Sequence, residues 1–245
     1  MMPVDRFSGH ADLYAQYRID YPADLYDVVL SRVTQRNVAW DCATGNGQVA
    51  GALAAYFDRV EATDISEKQL AQAVHQPNIH YQVSMAEQTP FSDQTFDLIT
   101  VAQALHWFNV PAFHEEVRRV AKPGAAIAEW GYGMVQVSAQ LDPIILDFYR
   151  NVIGPYWDPQ RRYVDGAYAT LPFPFDQAEH HNFVARRSWS LDRFLNYLRT
   201  WSAVRQYLYE NEEDPVTALG DRLKPLWTAD EQDVQFPIFL RIGRI

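Results

Sequence analysis

Cysteine is almost missing from this chain of 245 residues: Cys42 stands alone. An internal disulfide is therefore excluded, which fits a reducing compartment. Long apolar runs are missing too, and nothing approaches the ~20 residues that span a bilayer. Residues 1–17 carry no apolar core segment and no cleavage pattern, so no secretory leader is expected and the cytoplasm is the expected location. Positive charge is scarce: 21 Lys and Arg stand against 31 Asp and Glu, a net charge of −10. The bases come as scattered pairs, Arg118-Arg119, Arg161-Arg162 and Arg186-Arg187, with no basic stripe. Nucleic acid is thus disfavoured as a partner. His180-His181 and His114-Glu115-Glu116 lack zinc spacing, so no metal is expected. No Ser-His-Asp arrangement, internal repeat or low-complexity tract can be drawn, and nothing sets an oligomeric state.

What is present is an alternation of two periods. Helical patterns cover 23–33, 48–57, 66–74 and 110–120, and short apolar runs cover 38–41, 60–64, 79–83, 96–101 and 125–130. Strands alternating with helices predict parallel βαβ units in an open, doubly wound sheet. Lys122-Pro123-Gly124 is a stop signal after 110–120. Beyond 131 the pattern changes. A helix is expected over 142–152, then 154–176 is rich in proline and aromatic rings. That composition fits either an irregular cap over a site or a surface loop packed by its own rings. A strand over 183–189, helices over 191–208 and 215–227 and a last strand over 234–242 complete the chain; Pro237 predicts a bulge or a late start there.

The most informative stretch is Val38-Ala39-Trp40-Asp41-Cys42-Ala43-Thr44-Gly45-Asn46-Gly47-Gln48-Val49-Ala50. It reads as a buried strand that ends on an acid at the mouth of a small-residue turn and runs into a helix. Glycine at 45 and 47 permits a sharp bend and close approach of a ligand. Gly45-Asn46-Gly47-Gln48-Val49-Ala50 formally matches the dinucleotide fingerprint G-x-G-x-x-A, which keeps an NAD(P)-dependent oxidoreductase as an alternative. Asp41 argues against it, because two like charges at ~4 Å cost roughly 4 kcal/mol at an effective dielectric of 20. The same carboxylate attracts an ammonium group. S-adenosylmethionine carries an ammonium and a sulfonium and no phosphate, so it fits better. Asp64 ends the second strand, where an acid can accept from both ribose hydroxyls; it can also be the first acid of the next helix.

Six ordered segments carry a resemblance: Asp41-Cys42-Ala43-Thr44-Gly45-Asn46-Gly47-Gln48, Asp64-Ile65-Ser66, Ala86-Glu87-Gln88-Thr89-Pro90-Phe91, Phe96-Asp97-Leu98-Ile99, Gln103-Ala104-Leu105-His106-Trp107-Phe108 and Val120-Ala121-Lys122-Pro123-Gly124. Together they resemble a class I S-adenosylmethionine-dependent methyltransferase, nearest the branch that includes trans-aconitate methyltransferase-like enzymes. Tyr14 to Pro22, Thr200-Trp201-Ser202 and Phe236-Pro237 extend the likeness over almost the whole chain. Two departures are Ala43, where the family usually has glycine, and Ser84-Met85, where many relatives have an acid. The implied fold is α/β, a doubly wound, Rossmann-like, seven-stranded, mostly parallel sheet with an inserted aromatic cap. One domain is expected over 1–245: a cofactor-binding core at 22–130, a cap or substrate region at 131–182, and completion of the sheet by 183–245.

The resemblance also implies roles, with S-adenosylhomocysteine as product. Asp41 and the backbone of Ala43 and Gly45 hold the methionine end, flanked by Asn46 and Gln48. Asp64 binds the ribose, Ile65 packs on the adenine, and Met85 and Ala86 border its edge. Gln103 and Ala104 face the amino-acid part. Tyr17 and Arg18 fold over the cofactor, with a surface salt bridge as the other reading of Arg18. The acceptor is expected to be a small organic molecule, with a carboxylic acid in view; Trp107 and Tyr132 are candidate contacts. His106 is the candidate general base, or else a substrate contact without proton transfer. Arg161 or Arg162 is expected to anchor an acidic substrate or to be solvated. A relative that binds the cofactor without turnover is a further alternative.

Overall fold

A computed structural model describes residues 19–245. Helix α1 (Ala23–Ser31) leads into strand β1 (Val38–Cys42), α2 (Gln48–Leu53), β2 (Arg59–Asp64), α3 (Glu67–Leu70), β3 (Ile79–Val83) and β4 (Phe96–Ala102). Then come α4 (Val110–Val120), β5 (Ala121–Tyr132), α5 (Asp142–Asp147), α6 (Arg161–Asp165), β6 (Asp176–Trp189), α7 (Leu191–Arg199), α8 (Ser202–Asn211), α9 (Pro215–Leu223) and β7 (Gln232–Arg244). The seven strands form one sheet in the order β3-β2-β1-β4-β5-β7-β6. The first five are mutually parallel, and β7 runs antiparallel to both β5 and β6. The expected α/β sheet of seven mostly parallel strands is therefore the observed fold.

Period-two alternation places the core on both faces. Along β1, Ala39 packs with one apolar cluster and Trp40 with the other; along β4, Leu98 and Ile99 divide the same way. One cluster gathers α1, α2 and the C-terminal helices, through Leu25, Leu53, Trp130, Phe194 and Phe236. The second joins α4 to the 163–175 segment, through Phe113, Val117, Val164, Tyr168 and Phe175. Strand order reverses between β1 and β4. Ligands in open α/β sheets lie outside the carboxyl ends of the strands at such a switch point, and this is where the candidate site forms.

Several boundaries differ from expectation. Strand β5 begins at Ala121, before Pro123-Gly124, and its register against β4 shifts between Phe96 and Leu98. The helix expected over 191–208 breaks: the Thr200 hydroxyl donates to the Tyr197 carbonyl at 2.6 Å, and the extended Trp201 starts α8. Strand β6 begins at Asp176, although 176–182 is polar, because an edge strand can be polar on both faces. Its register shifts between Asp176 and Glu179, and none shifts at Pro237, so the expected bulge is absent. Pro237 is tolerated inside β7 because its carbonyl, which accepts from Gly133 at 2.9 Å, lies just past the last β5 pair, Tyr132 with Ile238. Its missing N–H therefore falls where the β5 ladder has ended. Among the described residues no helix is long and apolar enough to cross a membrane.

Candidate active site

The β1–α2 turn is built over a buried acid. Asp41 is 1% exposed. Its Oδ2 accepts from the Thr44 hydroxyl at 2.5 Å and the Ala50 amide at 3.1 Å, and its Oδ1 accepts from the Thr100 hydroxyl at 2.9 Å. The carboxylate thus lies beneath the turn and organises it, where the sequence suggested an acid at its open mouth. Burial pushes its pKa up to about 6, opposed by those three hydrogen bonds. Asp64 accepts from the Gly45 amide and the Ser66 amide, both at 2.9 Å, so one carboxylate pins two successive loops. A Cβ on Gly47 would fall 2.2 Å from the Tyr81 hydroxyl, whereas one on Gly45 would meet nothing within 4 Å. Gly47 is therefore fixed by packing, and Gly45 leaves its backbone open to a ligand.

Ala43 sits in left-handed backbone, φ +55°. That region costs an L-residue about 1–2 kcal/mol, against a glycine penalty of about 0.4–1 kcal/mol from the unfolded chain. Ala43→Gly is expected to stabilise the protein by about 0.5–1 kcal/mol in urea denaturation, the opposite sign to most glycine substitutions.

Two cavities open at the strand ends. The first is lined by the turn from Asp41 to Gln48, by Ile19 and Tyr21, and by Ala102, Gln103 and Tyr132. The amide of Gln48 donates to the Ile19 carbonyl at 2.7 Å and to Asp20 at 2.8 Å, tethering the incoming chain to the turn. Tyr17 and Arg18 lie outside the described residues. Gln103, at φ +58°, pairs its side-chain amide with the Tyr132 backbone, accepting at 3.1 Å and donating at 3.3 Å. A Cβ at Gly131 would strike that amide oxygen at 2.5 Å, so Gly131 leaves room for the pairing. Beside the cleft, Ile65 and Met85 follow β2 and β3 and are 40% and 44% exposed, while Ala86 is buried.

Gln103 and Tyr132 also line the second cavity, with His106, Trp107, Trp157, Asp158, Arg161, Tyr197, Trp201 and Ser202. Arg161 lies over the Trp157 ring at 4.9 Å and donates its Nε to the Tyr149 hydroxyl at 3.0 Å and to Asp165 at 3.2 Å. His106, on the turn Leu105–Trp107, is 7% exposed. Burial first, and the Arg161 charge second, push its pKa down to about 3, so the imidazole is neutral at physiological pH. Trp107, Trp157, Tyr197 and Trp201 make the wall aromatic.

Residues 40–128 match the methyltransferase domain model. The chain is 36% identical to a solved structure from Anaeromyxobacter dehalogenans named as a type II methyltransferase, with a TM-score of 0.85 over 93% of this chain and 98% of that one. It is also 28% identical to a protein of Dictyostelium discoideum named as a methyltransferase, over 98% of this chain and 95% of that one. This chain belongs to the class I S-adenosylmethionine-dependent methyltransferases. A structure from Anabaena variabilis, named as a methyltransferase from an antibiotic biosynthesis pathway, shares the fold at 15% identity and a TM-score of 0.62.

The methyltransferase fold explains the first cleft better than a dinucleotide fold does. Asp41 and Asp64 flank the turn, and no Lys or Arg lines the cleft among the described residues. A pyrophosphate there would lie beside Asp41 with no base among the described lining residues, so the oxidoreductase alternative is not favoured. An ammonium meets a carboxylate with three of about four acceptor positions filled. The exposed pair Ile65 and Met85 provides apolar faces for a flat base. The residues present therefore fit the family's cofactor.

Of the residues singled out from sequence, Asp41, Ala43, Gly45, Asn46, Gln48 and Gln103 come together at the first cleft, and His106, Trp107, Tyr132 and Arg161 at the second. Ala104 does not line either; its carbonyl accepts from the Trp107 amide at 2.9 Å and shapes the turn that carries His106. Arg162 is exposed, stacks on Tyr163 at 4.9 Å and does not line the cavity. Sequence reasoning did not single out Trp157, Tyr197, Trp201 or Ser202 as site residues. The available signal was the place of Thr200-Trp201-Ser202 in the resemblance.

Proposed function

We propose that this methyltransferase moves the methyl group of S-adenosylmethionine onto a small carboxylic acid, and that it lies in the branch that includes trans-aconitate methyltransferase-like enzymes. The acceptor reading rests on one observation. Arg161 lines a cavity whose imidazole is neutral, and its two terminal nitrogens have no hydrogen-bond partner among the described residues. A guanidinium fork suits a carboxylate. A carboxylate arrives ionised and is itself the nucleophile. A hydroxyl, amine or carbon acid needs a base, and an imidazole with a pKa of about 3 is too weak for that work. His106 therefore contacts the acceptor without taking its proton.

In this reading Asp41, Ala43, Gly45, Asn46 and Gln48 hold the methionine end, Asp64 the ribose, and Ile65, Met85 and Ala86 the adenine. Gln103 closes the amino-acid end, with Ala104 behind it. When bound, the cofactor supplies a methyl group already activated on a sulfonium. Gln103 and Tyr132 border both cavities, so the acceptor oxygen is brought into line there. The aromatic wall, with Trp107 in it, excludes water. One domain is divided between the tasks: 22–130 for the cofactor, and 131–182 for the acceptor, joined by residues of α7 and α8 from 183–245. The partner is a small molecule, not nucleic acid.

Incubation with S-adenosylmethionine and a panel of mono-, di- and tricarboxylic acids, trans-aconitate included, should yield methyl esters by mass spectrometry. Phenols and amines of matching size should be inert. Turnover of those with every acid inert would overturn the acceptor reading. Tight S-adenosylhomocysteine binding with no turnover at all would favour the non-catalytic alternative.

A further inference from the structure

We propose that Tyr168 is a positioning residue: its hydroxyl donates to Nδ1 of His106 and holds the ring in the tautomer that carries its proton on Nε2, presenting an N–H donor to the acceptor cavity. The inference rests on the reading of that cavity given above, and extends it to a residue outside both cavity walls.

The hydroxyl of Tyr168 lies 3.3 Å from Nδ1 of His106. Tyr168 is fully buried, and no other acceptor for its proton occurs among the described residues. Were Nδ1 protonated, the tyrosine O–H would be left buried without an acceptor, which folded proteins avoid. Donation by the tyrosine satisfies that O–H, and a neutral ring with an accepting Nδ1 must carry its proton on Nε2. The burial and the Arg161 charge that keep the ring neutral also keep this single-proton state in place. An Nε2–H beside the Arg161 guanidinium gives the cavity two donors of the kind a carboxylate accepts.

Tyr168 is held by a device that the cavity itself does not require. Ala167 and Tyr168 are consecutive non-glycine residues in left-handed backbone, φ +50° and +57°. Such residues are strained and persist only where the surroundings over-determine them. Here Arg241 does so. Its guanidinium donates to the carbonyls of Tyr168 at 3.2 Å, Leu171 at 2.9 Å and Pro172 at 3.2 Å. Arg241 is fixed in turn by Glu129 at 2.6 Å, and Glu129 by His114 at 2.8 Å, all three nearly inaccessible to solvent. The Tyr168 ring packs edge-on against Phe239 at 5.0 Å, which sets the direction of its hydroxyl.

The test uses the full chain saturated with S-adenosylhomocysteine and labelled with 15N-histidine. The expected spectrum of the wild type shows His106 protonated on Nε2 and not on Nδ1; the reverse assignment overturns the proposal whatever the acceptor is. Tyr168→Phe keeps the ring and removes the hydroxyl. It should weaken binding of benzoate, used as a plain carboxylate probe, by about five- to tenfold, the worth of one hydrogen bond, with S-adenosylhomocysteine affinity unchanged. In a His106→Gln background, whose amide restores a donor, the same substitution should have no further effect. Wild-type benzoate affinity in Tyr168→Phe would overturn the proposal, as would an equal loss in both backgrounds. If benzoate fails to bind the wild type, the carboxylate reading fails instead, and the tautomer stands or falls on the spectrum alone.

Discussion

Asp41→Asn is expected to make the ligand-free protein more stable at pH 8 while weakening its hold on S-adenosylhomocysteine ten- to a hundredfold. The stability half follows from burial. The Asp41 pKa is raised from 3.8 to about 6 in the fold. The native state therefore binds the proton more tightly than the unfolded chain, and stability falls as pH rises through that window. Above pH 6 the buried charge costs about 3 kcal/mol relative to an ordinary aspartate. Asparagine removes the charge and fits the same donors. Its oxygen accepts from Thr44 and Ala50, while its amide can donate to the Thr100 hydroxyl, which lies 3.4 Å from the Trp40 carbonyl. The gain should therefore reach up to about 3 kcal/mol at pH 8 and vanish near pH 4. The affinity half follows from charge. A charge-assisted interaction with the ligand's ammonium is worth about 1.5–3 kcal/mol, which the neutral amide forfeits. Urea denaturation across pH, with calorimetry of S-adenosylhomocysteine, reads both. A variant that binds as tightly as the wild type would show that Asp41 serves only the turn.

The strand–turn–helix about Asp41 was legible because three local signals agree there: an apolar strand, glycines and a helix start. Residue types alone were enough to place Asp41, Gly45 and Asp64 about one turn, where Asp64 accepts from the Gly45 amide at 2.9 Å. What they could not show was depth. An acid at a strand end looks the same whether it faces solvent or, like Asp41, takes three hydrogen bonds beneath a turn. Pro237 shows the same limit. Proline argues against a central strand, yet β7 is interior, because the missing donor falls beyond the end of β5. Only the partner strand's length decides that, and it is not local information.

The second cavity was less legible for a related reason. Its wall is drawn from four separated places: the turn after β4, the end of β5, the 157–161 segment and the α7–α8 break. None has a periodicity that marks it. Arg161 and Arg162 are neighbours of the same type, and the chain gives no means of choosing between them. The choice is made by α6, which points Arg161 at Trp157 and the cavity and leaves Arg162 stacked outside on Tyr163. Glu129, His114 and Arg241 were invisible as a group, since they lie on β5, α4 and β7 and meet only when the sheet forms.

Arg161→Ala is the second substitution with a large expected effect. It should lower kcat/KM for a carboxylic acid about a hundred- to a thousandfold, about 3–4 kcal/mol, the range for removing a charged donor from a desolvated site. Arg161→Lys should recover only part of this, because a point charge cannot reproduce the fork that holds both oxygens. Calorimetry should find S-adenosylhomocysteine affinity unchanged, since Arg161 does not line the first cleft. His106 supplies an internal check. Its pKa is about 3 in the fold against 6.5 ordinarily, so it favours the native state fully above pH 6.5 and loses that contribution as pH falls toward 3. Burial is the larger cause and the Arg161 charge the smaller. In Arg161→Ala the imidazole should therefore titrate higher than in the wild type yet still below 6.5, and acid unfolding should begin at a lower pH. If activity falls and the His106 titration does not move, the loss comes from a collapsed cavity and the anchor is elsewhere. If the titration moves and acids are still methylated at the wild-type rate, Arg161 sets the electrostatics of the chamber without gripping the substrate.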